Sequence, residues 1–345
     1  MDRSDKLRRL ISDDEAVFIT SYPNIFYYSG FTSEDATLII TKDLSLLLTD
    51  SRYTIQARHE SPSYEVCEIS KTEGIIKSLK QQILCIEEDV MSVSQFSKLQ
   101  GYGKKTKPFS KTIKYPRRVK DKEEIKKIAQ AEELGDRAFS YILDYIKSGK
   151  SEKEIAAELE FFMRRNGASK LSFDTICASG VRSAMPHGVA SDKIIEKGDF
   201  LTLDFGCVLD GYCSDMTRTV VVGQASQRQK EIYEIVQRAQ KAALDIIKAG
   251  VLCRDADKAA RDIIDSYGFK DNFGHGTGHS IGVEIHELPS LSPRSEDVLE
   301  VGNVVSVEPG IYIEGFGGVR IEDLVQIDAE NALNLTKSEK DLLII

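Results

Sequence analysis

Two aspartates lie on either side of a predicted hairpin turn in the segment LTLDFGCVLDGYCSDMTRTVVV (201–222). Runs rich in branched residues flank the turn signal LDG (209–211), and Asp204 and Asp215 stand eleven residues apart around it. This spacing predicts that the two carboxylates lie opposite or nearly opposite each other across the ladder. They would repel each other unless a positive group sat between them. From this hairpin alone, a solvent-facing carboxylate paired with Arg218 is an equal alternative.

A second hairpin repeats this arrangement with glutamates. In VVSVEPGIYIEGFGGVRIEDLVQI (304–327), Glu308 and Glu322 are fourteen residues apart, and their midpoint is Gly315 in a glycine-rich turn. The predicted strands are otherwise apolar, so two more carboxylates face each other beside a turn. Four carboxylates on two related hairpins form a cage that only cations would neutralise. The sequence therefore predicts a metal site.

Three of the five histidines of the chain lie in one glycine-rich string, FGHGTGHSIGVEIHELP (273–289). So many glycines indicate close backbone approach or positive φ angles. A single histidine is more often a satisfied polar residue than a ligand. A cluster of three beside an acidic cage reverses that expectation. The candidate residues are His275, His279 and His286.

The other two histidines carry weaker signals. His187 lies in SAMPHGVAS (183–191), where Pro-His-Gly predicts a loop, and loops on a rigid scaffold often carry functional residues. His59 lies on a predicted helix in the first domain, and we expect it at the surface without a role. Neither residue indicates a site by itself.

Composition excludes several classes of protein. The 345 residues suggest two domains, and 41% apolar with 29% charged residues is ordinary for a soluble globular chain. A net charge of −9 argues against nucleic-acid or membrane-surface partners. No apolar run approaches the roughly 20 residues of a membrane span, and the first ten residues lack the apolar core of a secretory signal. The six cysteines form no CxxC pair and indicate reduced thiols, so we expect a cytoplasmic location.

The coarse fold prediction is an α+β protein with two domains. Residues 1–113 alternate short strand-like runs with polar helices, which predicts a small α/β domain. A basic segment with two prolines follows, and we predict a linker at 114–120 and a second domain at 121–345. The predicted strands of the first domain are AVFITS (16–21), ATLIIT (36–41), SLLLTD (45–50), EVCEIS (65–70) and ILCIEED (83–89).

The second domain contains an internal repeat. Two predicted helices, in 148–167 and 249–268, are each bounded by a pair of glycines, and both pairs are offset by 101 residues. A longer predicted helix precedes each one, at about 122–147 and 226–248, and an acidic hairpin follows. This order indicates a duplicated α+β unit. Two packed halves leave a crevice between them, which is a favoured place for a ligand.

Four motifs in chain order carry a family resemblance: LDFG…SDMTRT, HGTGHSIGVEIHE, SVEPGIY and GVRIED. Over essentially its whole length the chain resembles the pita-bread metallopeptidases, and among them the Xaa-Pro peptidases, aminopeptidase P and prolidase. This resemblance implies a creatinase-like N-terminal domain followed by a pita-bread catalytic domain with an internal pseudo-two-fold repeat. By position, the implied ligands of two divalent metal ions are Asp204, Asp215, His279, Glu308 and Glu322.

The resemblance also implies how the metal ions are held and used. Asp215 and Glu322 would bridge the two ions, and Glu308 would shuttle a proton to the leaving nitrogen. Four carboxylates and one imidazole form an oxygen-rich set, so Mn²⁺ is the expected metal, with Co²⁺ or Zn²⁺ as alternatives. Two such ions would lower the pKa of a bridging water, and the resulting hydroxide would attack the peptide carbonyl.

Four further residues are implied to act on the substrate. His275 and His286 would bind it and stabilise the tetrahedral intermediate. His187 matches a loop histidine near the scissile peptide, and Arg320 matches an arginine that the Xaa-Pro branch carries. With Glu308, these residues form the expected catalytic set.

The expected activity is hydrolysis of the bond between an N-terminal residue and proline. An Xaa-Pro aminopeptidase is the first interpretation and an Xaa-Pro dipeptidase the alternative, because the sequence does not show how the far end of the cleft is closed. Methionine aminopeptidases typically lack the equivalent of His275 and this N-terminal domain, and creatinase lacks the full ligand set. A non-catalytic binding protein of the same fold is a further alternative. The expected partners are Xaa-Pro peptides or dipeptides and, by resemblance, a second copy in a homodimer.

Overall fold

The computed structural model describes residues 3–345. By internal packing the chain divides into two compact units, Met1–Arg117 and Arg118–Ile345. The division lies inside the segment predicted as a linker. That segment is not extended, since Ser110–Lys114 is helical and Tyr115–Arg117 forms a 3₁₀ turn in which Pro116 and Arg117 are buried.

The first unit is built around a six-stranded mixed sheet, whose strands lie side by side in the order 65–68, 45–49, 36–40, 15–19, 83–86 and 105–108. All five predicted strands are present, and the strand at 105–108 is an addition at the sheet edge. Exposed His59 lies on α3, in agreement with the prediction. The strands are β1 (Glu15–Ile19), β2 (Ala36–Ile40), β3 (Ser45–Thr49), β4 (Glu65–Glu68), β5 (Ile83–Ile86) and β6 (Lys105–Pro108). The helices are α1 (Arg3–Arg8), α2 (Tyr22–Ser29), α3 (Thr54–Glu60), α4 (Thr72–Ser78), α5 (Val93–Gln100) and α6 (Ser110–Lys114).

The second unit contains two halves with the same order of elements, which confirms the predicted repeat. In each half, a longer and a shorter helix precede the antiparallel strand pair of the acidic hairpin, 200–205 with 216–221 in the first half and 304–307 with 323–327 in the second. The first half contains α7 (Lys122–Tyr145), α8 (Glu152–Arg165), β7 (Lys170–Leu171), β8 (Ile176–Ser179), β9 (Phe200–Phe205), β10 (Cys207–Leu209), β11 (Tyr212–Cys213) and β12 (Met216–Val221). The second half contains α9 (Gln227–Ile246), α10 (Cys253–Ser266), β13 (Gly278–Ser280), β14 (Glu287–Leu291), β15 (Val304–Val307), β16 (Gly310–Ile313), β17 (Gly317–Arg320), β18 (Asp323–Ile327) and β19 (Ala332–Asn334).

Local sequence signals set the helix boundaries in both halves. Capping boxes begin three of the four helices, with Asp121 before α7, Ser151 before α8 and Ser226 before α9. The four glycines that define the repeat all adopt positive φ, so they end helices or turn the chain where other residues would be strained: Gly149, Gly167, Gly250 and Gly268. The apolar face of each helix pair packs on the sheet of its own half. Across residues 3–345, no helix has both the length and the apolar character needed to cross a bilayer.

The strand registers agree with the predicted positions of the carboxylates in both hairpins. In the first hairpin the turn falls at Asp210 and Gly211, both at positive φ, and Asp204 pairs with Thr217. Asp215 is two residues before Thr217, so of the two predicted arrangements, opposite or nearly opposite, the structure has the second. Asp215 is a diagonal neighbour of Asp204.

The second hairpin has the predicted register. Val307 pairs with Asp323 in the β15–β18 ladder, and Gly310 pairs with Arg320 in the β16–β17 ladder. Continuing either ladder places Glu308 opposite Glu322, in the short gap between the two. The carboxylates thus stand where each long hairpin bends from one sheet into another.

Two glycines allow the backbones to approach closely beside these bends. A Cβ atom on Gly206 would overlap the carbonyl of Ser214, and one on Gly278 would overlap the carbonyl of Ser306. In both cases the obstacle is main chain, which cannot move aside as a flexible side chain would. Only glycine therefore fits at these two positions.

We expect Gly278→Ala to lower the free energy of unfolding by roughly 1–3 kcal/mol, the usual range for overpacking, because β13 must move away from β15. The measurement is thermal or urea unfolding monitored by circular dichroism. Gly274→Ala is the matched control, since a Cβ atom there meets nothing within 4 Å, and it should leave stability unchanged. Equal stability of the two variants would contradict the close-approach argument.

Candidate active site

The second unit contains a cavity of about 350 Å³ that is lined by all nine residues singled out from the sequence. They come from both halves, and mainly from the two bent hairpins and the glycine-rich string. The structure therefore brings together the complete predicted set. The residues are His187, Asp204, Asp215, His275, His279, His286, Glu308, Arg320 and Glu322.

The centre of the cavity is a cluster of carboxylates around one imidazole. One potential ligand atom from each of Asp215, His279 and Glu322 lies within 4.8 Å of the others. The Nε2 atom of His279 is 3.4 Å from Asp215 Oδ2 and 3.3 Å from Glu308 Oε1. Asp204 completes the set, and its Oδ2 lies 2.5 Å from Nη2 of Arg320. The arrangement can place several oxygens and one nitrogen on shared cations.

The carboxylates are buried and too close together to be ionised comfortably on their own. Burial, followed by repulsion from Glu322 and Asp204, raises the pKa of Asp215 well above its ordinary value. Burial and the charges of Glu308 and Asp204 do the same to the pKa of Glu322. Burial also raises the pKa of Glu308, although His275 and Arg320 oppose this shift.

Two carboxylate oxygens at this centre are also left without a hydrogen-bond partner. Within residues 3–345, Asp204 Oδ1 and Glu322 Oε1 are buried and accept no hydrogen bond from the protein. Buried acceptors in native proteins are nearly always satisfied, so such orphans need an explanation. Divalent cations would supply both the missing partner and the missing positive charge. The residues present therefore fit a metal site.

The ring of His279 is oriented as a metal ligand requires. Its Nδ1 atom donates a hydrogen bond to the carbonyl of Ser280 at 3.2 Å, which fixes the proton on that nitrogen. The lone pair of Nε2 therefore points toward Asp215 and Glu308. Burial lowers the pKa of His279, so the ring is neutral at neutral pH. A backbone carbonyl behind the ligating ring is the usual support for such histidines.

Arg320 connects one carboxylate to one of the predicted catalytic histidines through Tyr312. Its Nη1 atom donates to the Tyr312 hydroxyl at 2.8 Å, and that hydroxyl is 2.8 Å from His275 Nε2. His275 Nδ1 donates to the carbonyl of Gly276, so in the neutral ring Nε2 accepts the tyrosine proton. Burial lowers the pKa of His275 and raises the pKa of Tyr312 to about 12, which keeps both groups neutral. Both ring nitrogens of His275 are thus engaged with protein groups.

Sequence reasoning missed three residues that support the centre. Thr217 Oγ1 accepts from Arg320 Nε at 3.0 Å and donates to Glu322 Oε2 at 2.8 Å. Glu132 is fully buried and accepts from the main-chain N–H of Asp215 at 3.2 Å. Tyr312 and Thr217 are part of the motifs SVEPGIY and SDMTRT, but no spacing rule singles them out. Glu132 is an acidic residue on α7, and only the tertiary structure brings it to the site.

The open alternative for the first hairpin is also resolved. Arg218 does not pair with either predicted aspartate of the centre. Its guanidinium is buried and binds Asp323 at 2.8 Å, together with the main-chain carbonyls of Ser338 and Glu339. Its role lies behind the cavity, where it holds the segment that follows β19.

The two remaining histidines are exposed at the cavity. His286 packs edge-on against His279, with ring centroids 4.4 Å apart, and burial followed by the proximity of His279 lowers its pKa. His187 lies on the loop that follows β8, and the carbonyl of its neighbour Pro186 accepts a hydrogen bond from Arg320 Nη1 at 3.2 Å. Both imidazoles are exposed, so both are accessible to a molecule in the cavity.

Comparisons with known proteins identify relatives over the whole chain. The family models "Metallopeptidase family M24" and "Creatinase/Prolidase N-terminal domain" match residues 126–329 and 3–119. The Xaa-Pro dipeptidase of Pyrococcus furiosus is 41% identical over 346 residues, which cover 99% of both chains. The solved Xaa-Pro dipeptidase from Bacillus anthracis superposes with a TM-score of 0.97 at 43% identity, over 100% of this chain and 99% of that chain. The X-Pro aminopeptidase from Thermotoga maritima MSB8 gives a TM-score of 0.93 at 41% identity, with both chains covered completely.

We expect metal-free protein to lose stability as pH rises above the ordinary pKa values of Asp and Glu side chains. The raised pKa values of Asp215, Glu308 and Glu322 mean that the folded state binds protons that the unfolded state has released, and this advantage disappears as pH passes the folded pKa values. Glu322→Gln should flatten that dependence and raise the Tm of the metal-free protein on the alkaline side by a few degrees, because about 1 kcal/mol corresponds to roughly 2–4 °C for a domain of about 150–250 residues. The same variant should bind less metal.

Calorimetry after chelator dialysis, together with metal analysis, tests this prediction. Glu330→Gln is the matched control because Glu330 is exposed and lies outside the strand ladder beside Glu308 and Glu322. It should change neither the pH dependence nor the metal content. A Glu322→Gln protein that keeps a full metal complement, or is less stable than wild type without metal, would contradict the assignment.

Proposed function

The chain belongs to metallopeptidase family M24, and from that membership we propose that it is a dinuclear-metal peptidase that hydrolyses Xaa-Pro bonds. Membership confirms the resemblance inferred from the motifs, and it makes the protein a metal-dependent hydrolase. The observation that carries the proposal is the assembly of all nine predicted residues in one cavity. A non-catalytic binding protein has no need of the full set.

We propose Xaa-Pro dipeptides as the preferred substrates. The Xaa-Pro dipeptidases of Pyrococcus furiosus and Bacillus anthracis are 41% and 43% identical to this chain. This similarity favours the alternative interpretation of the sequence over the first one. Xaa-Pro aminopeptidase activity remains the second candidate, because the Thermotoga maritima protein of that description is also 41% identical.

Five residues would hold the two metal ions. Asp215 and Glu322, which the family resemblance implies as the carboxylates shared by both ions, each place one oxygen within 4.8 Å of a ring nitrogen of His279. When bound, the ions would supply a nucleophile at neutral pH and a Lewis acid for the scissile carbonyl. The oxygen-rich donor set favours Mn²⁺, with Co²⁺ or Zn²⁺ as alternatives. The ligands are Asp204, Asp215, His279, Glu308 and Glu322.

Glu308 is the proposed proton carrier. Its carboxylate accepts a hydrogen bond from the Ser306 hydroxyl at 2.9 Å and lies at the cavity, where it can reach a bound substrate. It would take the proton of the attacking water as the carbon–oxygen bond forms. It would then deliver that proton to the proline nitrogen as the carbon–nitrogen bond breaks.

The histidines would orient the substrate and stabilise the developing oxyanion. His187 and His286 are exposed, and a ring N–H of either can donate a hydrogen bond to a carbonyl oxygen. His275 acts from behind, since its hydrogen bond to Tyr312 helps to hold Arg320 against Asp204. For His275, direct donation to substrate would require the hydrogen bond with Tyr312 to be exchanged.

We also propose a cytoplasmic homodimer. The free state of all six cysteines fits a reducing compartment, and burial raises the pKa of the thiols of Cys85, Cys177 and Cys213. The dimer rests on the family resemblance alone. Sedimentation equilibrium of the metal-loaded protein tests it directly.

We expect the Mn²⁺-loaded enzyme to cleave an Xaa-Pro dipeptide with a kcat/KM at least about tenfold above that for the matching Xaa-Pro-Yaa tripeptide, equivalent to about 1.4 kcal/mol. The measurement is release of free proline or of the first residue, with the same Xaa in each peptide. A dipeptide with alanine in place of proline is the control for proline specificity. Faster cleavage of the tripeptide would replace the dipeptidase proposal with the aminopeptidase one. No cleavage of either peptide with Mn²⁺, Co²⁺ or Zn²⁺ would overturn the peptidase proposal.

We expect His275→Ala to retain its metal ions and to lower kcat by roughly ten- to a hundredfold, the usual range for loss of an outer partner in a metal site. Tyr312→Phe should produce a similar loss, because it breaks the same chain of hydrogen bonds at the next atom. The double variant should then be little worse than either single one. Wild-type kinetics for His275→Ala would return His275 to a structural role.

A further inference from the structure

A buried glutamate outside the cavity holds the loop that carries His187. This loop, residues 180–190, connects the end of β8 at Ser179 to Ser191, and it will be called the His187 loop. Glu152 is the first residue of α8 and its side chain is fully buried. None of the sequence motifs includes it, and it is absent from the cavity lining. Its contacts nevertheless lie at both ends of the His187 loop.

One carboxylate oxygen of Glu152 binds the start of the loop, and the other binds its end. Oε1 accepts from the main-chain N–H of Ser179 at 2.7 Å and from its hydroxyl at 2.9 Å. Oε2 accepts from the N–H of Ser191 at 3.0 Å and from its hydroxyl at 2.6 Å. The positive end of the α8 dipole adds favourable charge at this position. A single buried side chain thus closes the base of the loop.

Arg182 extends this closure toward His187. Its guanidinium binds Glu152 Oε2 through Nη1 and donates from Nη2 to the carbonyl of Val189 at 2.9 Å. Val189 is two residues beyond His187, and its own N–H donates to the His187 carbonyl at 2.9 Å. Hydrogen bonds therefore connect Glu152 to His187 through only two residues, Arg182 and Val189.

The opposite side of the loop is anchored to the metal-site hairpin. Ser183 Oγ accepts from the N–H of Gly318, and the carbonyl of Pro186 accepts from Arg320. These contacts fix the middle of the loop, whereas Glu152 binds both of its ends. At those ends the Lys193 ammonium also donates to the Ser179 hydroxyl, and the N–H of Lys153 donates to the Ser191 carbonyl. The placement of His187 over the cavity depends on both sets of contacts.

We infer that Glu152 is a positioning residue that sets the place of His187 at the cavity. This inference rests on the proposed function in one respect, because it takes His187 to act on the substrate. A buried carboxylate with several donors cannot be replaced by an apolar residue without leaving those donors unsatisfied. Loss of the contacts would let the loop shift, and a displacement of about 1 Å can cost an enzyme about a hundredfold in rate.

Glu152→Gln tests this inference with little change in volume. Its amide group would place N–H donors against donors that need an acceptor. We expect a full metal complement and a kcat/KM on an Xaa-Pro dipeptide lowered by roughly ten- to a hundredfold. In a His187→Ala background the same change should lower kcat/KM by less than about twofold, because the two residues act through one group. Glu154→Gln is the matched control: its exposed carboxylate caps the same helix at Ser151, and it should keep wild-type kinetics.

A second readout does not depend on activity. The chain has five histidines, so ¹⁵N-histidine NMR can follow each ring, with the His187 signals identified by their loss in His187→Ala. In Glu152→Gln we expect the His187 signals to shift or broaden while those of the other four histidines stay in place. That result with a wild-type protein unable to cleave Xaa-Pro peptides would refute the proposed function and leave the positioning role intact.

Several results would overturn the positioning role. They are an unmoved His187 signal with wild-type kinetics, loss of metal in Glu152→Gln, displacement of all histidine signals together, and equal kinetic losses with and without His187. If Glu152→Gln does not fold, Ser191→Ala decides by the same measurements, since it removes one loop donor and keeps the carboxylate. It should shift the His187 signals alone and reduce kcat/KM by a smaller factor. No effect on either measurement would refute the inference.

Discussion

Repulsion among four carboxylates in one buried cavity is the constraint on which the rest of the second unit depends. Asp204, Asp215, Glu308 and Glu322 gain nothing from one another, and burial makes each charge more costly. A chain that tolerates such a cluster must hold it by other contacts until cations bind. The unsatisfied oxygens of Asp204 and Glu322 show where those contacts stop and where the cations are needed.

The contacts that hold the cluster cross between the two halves. Thr217 and Thr219 on β12 bind Arg320 and Glu322 from the other hairpin through side-chain and main-chain hydrogen bonds. The glycines at 206 and 278 let the bent hairpins approach their neighbours where a side chain would collide. The duplicated fold therefore does more than supply two similar sets of ligands. It lets one hairpin carry the groups that fix the ligands of the other.

The sequence was sufficient for the residues that line the cavity and insufficient for those that support them. Carboxylate spacing about Gly315 predicted the register of Glu308 and Glu322, because that hairpin continues through its bend without an inserted residue. For Asp204 and Asp215, the midpoint of the two residues lies one residue before the centre of the turn at Asp210–Gly211. The residue that pairs with Asp204 is therefore two positions beyond Asp215. Glu132 and Glu152 could not be found this way. Both are acidic residues on amphipathic helices, where a charge normally faces solvent, and only packing turns them inward.

The charge balance of the cavity argues for two cations over one. Burial lowers the pKa of three of its histidines, His275, His279 and His286, so these three rings contribute no charge. The four carboxylates then outweigh the single guanidinium of Arg320 by three charges. One divalent ion would leave the centre negative, and a negative centre repels both a hydroxide and the oxyanion of a peptide-bond intermediate. Two divalent ions would give the centre a net charge of about +1. This is the smallest positive charge that can attract a hydroxide while the buried carboxylates remain ionised.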